Sequence, residues 1–165
     1  MTRAERLSLA SDFATSATTW NAAALRGFCT QRGIAEDREK ALWPRGVRSL
    51  ARDLNEAADE RMLRRWQNET PTLYDVLVWR FADNESLRPA VAALARSDLW
   101  HPADTLARTG ITARRMLRLA GKSGEIRVWL LVLAYSAAVL VWLLDGSAGR
   151  RATTSACRAA AMALG

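Results

Sequence analysis

From Val128 to Leu144 the chain reads Val-Trp-Leu-Leu-Val-Leu-Ala-Tyr-Ser-Ala-Ala-Val-Leu-Val-Trp-Leu-Leu, and only Ser136 lacks an apolar or aromatic body. Glu125, Arg127 and Asp145 bracket it. No strand is this long, so the stretch predicts a helix spanning 126–145. A helix apolar all round must be hidden all round, by protein or by lipid. At about 1.5 Å per residue it reaches about 26 Å, short of a hydrocarbon layer of about 30 Å. Ala134, Ser136, Ala137 and Ala138 thin its middle, so neighbouring helices can approach closely. Its shortness and the amphipathic segments around it favour the centre of an all-α core; a single membrane span is the competing reading.

The rest of the 165 residues suits one domain, or a small head on a helical body. Half of the residues are hydrophobic, too many for a disordered chain. Cys29 and Cys157 fit neither a zinc spacing nor a disulfide framework and read as buried free thiols. Basic and acidic residues cancel up to Glu85, so the net charge of +7 resides entirely beyond it. Such a basic half can face nucleic acid, an anionic membrane or an acidic protein. Residues 1–17 lack the apolar core of a secretory signal.

Eight further helices follow from periodicity and punctuation. Ala4, Leu7, Ala10, Phe13 and Ala17 recur at helical spacing. Residues 20–32 form a second helix, capped by Thr18 or Thr19 and stopped by Gly33. A short third, 35–43, ends at Pro44. The fourth, 47–66, is broken by Asn68-Glu69-Thr70-Pro71, which predicts a head of 1–69 and a body of 70–165. Thr72 caps a fifth helix, and Ser86 a sixth with Pro89 in its first turn. Residues 103–121 form a seventh, and an alanine-rich helix closes the chain after a Gly146–Gly149 link.

Little in the chain has catalytic form. Gly121-Lys122-Ser123 has Met116 where a phosphate loop needs its first glycine, and it follows a helix. His101 is the only histidine, so metal binding and histidine-based catalysis lack parts. Asp53, Glu56 and Glu60 alternate with Arg48, Arg52 and Arg64, the pattern of a solvated helix face. The seven tryptophans read mainly as core filling, or as the wall of a pocket for a large apolar ligand. A helix-turn-helix head would read DNA with its third helix, but that helix begins with Glu36, Asp37 and Glu39, which oppose phosphate. No sequence-specific nucleic-acid binding is expected.

Several segments resemble a known family in order along the chain. Trp20-Asn-Ala-Ala-Ala-Leu, Gly33-Ile, Ala41-Leu-Trp-Pro-Arg-Gly46, Leu50 and Ala58-Asp-Glu-Arg-Met-Leu63 are similar to the N-terminal part of the TetR-fold lipid-binding proteins of ubiquinone biosynthesis, the coenzyme Q protein nine family. Ala120-Gly121, Ala134-Tyr-Ser-Ala137 and Val141-Trp-Leu-Leu-Asp-Gly-Ser147 resemble its penultimate-helix signature. The resemblance implies a TetR-like fold whose head has lost DNA binding, an isoprenoid pocket, and a role presenting quinone intermediates to a quinone-modifying hydroxylase. Lys122–Arg127 lacks the family's acidic and aromatic segment for that enzyme, so fold and pocket carry over better than the partner.

The expectation is therefore an all-α, TetR-like, non-enzymatic accessory protein without cofactor or metal. It would hold an isoprenoid lipid or quinone intermediate in the cytoplasm, peripheral to the inner membrane, and could form a homodimer. A TetR-type regulator with an apolar effector pocket is the alternative, beside the single-span membrane protein. If the fifth, seventh and apolar helices enclose the lipid, Trp79, Leu106, Leu117, Leu131, Tyr135 and Trp142 line the pocket. Leu131, Tyr135 and Trp142 share one helix face by their spacings of four and seven.

Overall fold

Local chemistry starts the first helix where the sequence lets it. Thr2 and Glu5 exchange side-chain and backbone hydrogen bonds in a capping box, opening α1 (Arg3–Ser16). Asn21, not Thr18 or Thr19, caps α2 (Ala22–Gln31) by accepting from the Ala24 amide at 2.8 Å. α3 (Glu36–Leu42) and α4 (Val47–Arg65) follow, the turn between them passing through Gly46 at φ +55°. A second capping box, Thr72 with Asp75, opens α5 (Leu73–Asp83). A 3₁₀ turn, Glu85–Leu87, replaces the expected Ser86 cap and leads into α6 (Arg88–Asp98), with proline in its first turn. α7 (Pro102–Leu119), α8 (Glu125–Leu144) and α9 (Arg151–Ala163) complete the chain. This computed structural model describes residues 1–165, and the protein is all-α.

The chain divides into two compact units, but not at residue 69. The first comprises 1–58 with 86–104, and the second 59–85 with 105–165. The Asn68–Pro71 break does end α4, yet α6 returns to the head: Leu87, Ala90 and Ala93 join its core. In that core Phe13 meets the edges of Trp20 and Phe28 at centroid distances of 5.1 and 5.4 Å. Asp53, expected on a solvated face, is buried instead. It accepts from Trp43 Nε1 at 2.9 Å and pairs with Arg6 at 3.1 Å, so the fourth-helix charge pattern conceals an interior carboxylate.

The second unit is organised around Asp59. Its side chain is wholly buried and binds Arg80 and Arg115 at 2.8 Å each, while Thr112 Oγ1 donates to it at 3.0 Å. One carboxylate thus fastens α4, α5 and α7. α9 packs on both α8 and α5.

Two expectations of burial need correction. α8 is not buried all round. Val128, Leu131, Val132, Ala138 and Trp142 are buried, whereas Ile126, Trp129, Leu130, Leu133, Leu140 and Leu144 are exposed. Being apolar, the whole helix reads as hidden, but α5 and α9 cover only one side of it. Tryptophan also fills less of the core than expected. Trp20, Trp43 and Trp142 are buried, Trp66 and Trp79 are half-buried, and Trp100 and Trp129 are exposed.

Candidate ligand cavity

The turn between α8 and α9 shapes one end of a cavity. Asp145, just past α8, accepts from the Ser147 amide at 2.9 Å and the Ser147 hydroxyl at 2.5 Å. Its other oxygen accepts from the Thr153 amide and hydroxyl at 2.8 and 2.7 Å. Those donors, Ser147 first and then Thr153, hold the Asp145 carboxyl well below the usual carboxylate range. Between them the backbone turns through Gly149 and Arg150, both left-handed, at φ 66° and 52°. Arginine in that region costs about 1–2 kcal/mol relative to its ordinary conformation. Its guanidinium offsets the strain by donating to the Asp145 carbonyl and pairing with Glu85.

The cavity so bounded measures about 610 Å³ and is partly open to solvent. Phe81 and Trp142 form an aromatic wall, with ring centroids 5.5 Å apart. Val78 and Cys157 continue the lining, and Glu85, Ser147, Arg150 and Thr154 make it polar at one end. Trp142 Nε1 donates to Glu85 Oε2 at 2.8 Å, so the indole carries both the apolar wall and the polar end. Burial pushes the Cys157 thiol up to about 11, so it stays protonated near neutral pH and serves as a small apolar group.

This arrangement can accept a ligand with an apolar body and an oxygen-bearing head. The carboxylate accepts, the guanidinium and hydroxyls donate, and a flat head can lie against Phe81 or Trp142. Volumes of about 300–1,000 Å³ are usual for small-molecule sites, so the size fits.

Of the six residues expected to line a pocket, the structure puts Trp142 on this wall. Tyr135 is outside the lining, its ring 5.6 Å from that of Phe81. Leu117 and Leu131 are fully enclosed, Trp79 is half-buried and Leu106 is largely exposed; none of these four is in the wall. The cavity lies among α5, α8 and α9, and α7 contributes nothing to its lining. Phe81 was legible on the apolar stripe of its helix. Glu85 and Arg150 gave no signal, because two charged residues in separate turns become a pair only through the fold.

No family model matches the chain, and neither do any curated protein or solved structure.

Proposed function

We propose that this protein is a non-enzymatic carrier of a prenylated aromatic lipid, a quinone or its biosynthetic precursor, which it holds for a modifying enzyme. The observation that carries this reading is the cavity itself: an aromatic wall ending in a hydrogen-bonded Glu85–Arg150 pair. An isoprenoid tail suits the apolar lining, and a ring with oxygen substituents suits the polar end. Glu85 makes a strongly anionic head a poorer fit than a neutral quinone or phenol, because like charges repel in a partly desolvated site.

The carrier role is supported by how the cavity's polar groups are engaged. Glu85 is held by Trp142 and Arg150, and Cys157 is protonated, so the lining favours holding a ligand over attacking one. The order of nine helices, with the short α2–α3 pair in the first unit, is compatible with the TetR-like architecture that the resemblance implies. Glu36 and Asp37 are exposed at the start of α3, which argues against a DNA-reading role for that helix. The exposed apolar side of α8 is compatible with work close to the cytoplasmic side of the inner membrane, where such lipids reside.

Titration with a short-chain prenylated benzoquinone, followed by tryptophan fluorescence and by calorimetry, tests the reading. Saturable binding is expected at one site per chain. Ala82 is exposed at the cavity mouth, so Ala82→Trp should obstruct entry and weaken binding at least tenfold without lowering the melting temperature. Unchanged affinity in Ala82→Trp, or no binding of any prenylated ring compound, would overturn the proposal.

A further inference from the structure

The polar end of the cavity has a hydrogen-bond balance that its residue types alone conceal. Ser147, Thr153 and Thr154 bring hydroxyls to the lining, and each hydroxyl faces a partner that can only accept. Ser147 Oγ lies 2.5 Å from one oxygen of Asp145, and Thr153 Oγ1 lies 2.7 Å from the other. Thr154 Oγ1 lies 3.0 Å from the Arg150 carbonyl oxygen. A carbonyl never donates, and the ionised Asp145 carboxylate accepts only. Each of these hydroxyl protons is therefore directed into the protein. The indole N–H of Trp142 is directed inward too, onto Glu85.

What this end presents to a ligand is consequently rich in lone pairs. Thr154 Oγ1 keeps its acceptor capacity after donating, and Glu85 is a carboxylate, with about four lone-pair positions. Arg150 is the exception, a donor only, which bonds the Asp145 carbonyl and Glu85. A ring oxygen has lone pairs for Arg150 whether it belongs to a quinone carbonyl or to a hydroxyl. Arg150 therefore does not tell the two apart. Glu85 does. Toward a hydroxyl it accepts a charge-assisted hydrogen bond, whereas toward a carbonyl two electron-rich oxygens meet. The neighbouring hydroxyls could donate to a carbonyl only by leaving Asp145 or Arg150.

Granted the carrier reading above, on which this rests, we propose that the cavity selects the reduced form of its ligand. A prenylated phenol or hydroquinone binds in preference to the oxidised quinone, and Glu85 is the selecting group. Its position is fixed in advance, because Trp142 Nε1 holds one of its oxygens and Arg150 the other. A site built to bond a hydroxyl rejects the analogue that lacks one, since its own polar group is then left unmatched. The protein performs no redox step; it binds one state of the couple better than the other. Glu85 also orients Trp142 and Arg150 for either form, so its part in the choice is read from the ratio of the two affinities.

Anaerobic calorimetry on the full chain tests this with a short-chain prenylated benzoquinone, its hydroquinone, and the dimethyl ether of that hydroquinone. The ether keeps the ring, the oxygens and the tail but lacks the O–H donors. The hydroquinone is expected to bind at least tenfold tighter than either of the others. Redox titration of the bound couple should then place its midpoint higher than that of the free couple, by about 30 mV for each tenfold of preference. In Glu85→Gln, whose amide donates as well as accepts, the ratio of hydroquinone to quinone affinity should fall to a few-fold, chiefly through weaker hydroquinone binding. Equal affinity of the hydroquinone and either other probe would overturn the selection and leave the carrier reading standing. A tenfold preference that survives Glu85→Gln would likewise remove Glu85 from the role. Failure of all the probes to bind would overturn both readings together.

Discussion

Trp142 and Glu85 stand 57 positions apart in the chain, yet the indole Nε1 donates to the carboxylate at 2.8 Å. The bond sets the tilt of the ring that walls the cavity and fixes one oxygen of the acid that ends it. Removing the acceptor should therefore disturb recognition more than folding. Glu85→Gln keeps an acceptor and should retain binding of a prenylated quinone within a few-fold. Glu85→Ala removes the carboxylate that Trp142 Nε1 and Arg150 both hold and should weaken it at least tenfold, as read by calorimetry.

Affinity should also report the size of the cavity. Each buried methylene contributes about 0.8 kcal/mol, so binding should strengthen as isoprenoid units are added to the tail. A space of about 610 Å³ fills, and further units then lie in water. A series of quinones of increasing tail length should show affinity rising and then levelling; a flat series would place the tail outside the cavity.

Asp59 offers a stability test separate from ligand binding. Its replacement by alanine leaves the buried Arg80 without its carboxylate, and breaking such a pair costs about 3–5 kcal/mol. Urea denaturation of Asp59→Ala should show a loss of this size. Arg115→Ala, which removes the more exposed partner, should cost clearly less.

Acid should act through Asp145. Its folded-state carboxyl is held below its unfolded value, so its stabilising contribution is complete above about pH 4 and diminishes as pH falls further. The urea-midpoint difference between wild type and Asp145→Asn should be largest near pH 7 and should shrink below pH 4. Asp53 acts in the opposite sense. Burial raises its carboxyl, outweighing Trp43 and Arg6, so the stability it gives its unit declines as pH rises through that value. Asp53→Asn should remove this dependence while keeping an acceptor for Trp43.

Both thiols should be silent until the protein opens. Burial pushes Cys29 and Cys157 up to about 11. Neutral-pH labelling with a maleimide should proceed at the rate of unfolding and reach two adducts in denaturant.

Helices were the legible part of this chain. Ala4, Leu7, Ala10 and Phe13 repeat at helical spacing, and Pro44, Thr72 and Pro89 mark ends, all of it written within a few neighbouring residues. What eluded the sequence depends on contacts at long range. Nothing in Leu87, Ala90 and Ala93 says that their helix rejoins the head, and nothing in α8 says which half of an apolar surface its neighbours will cover. Trp142 was readable because its spacing sets it on one helix face with Leu131 and Tyr135. Its polar companions were not, since Glu85 and Arg150 resemble ordinary surface charges until the fold sets them face to face.

The short link between α8 and α9 also acts as a rotational setting. Thr153, Thr154 and Cys157 line the cavity because α9 leaves the link at one particular phase. One residue added between Gly146 and Arg150 would lengthen the loop across which Asp145 accepts from Thr153, the bonds that set how α9 starts. It would carry these three side chains off the wall without changing any helix. The length of that link, more than the composition of α9, therefore tunes what the cavity can hold.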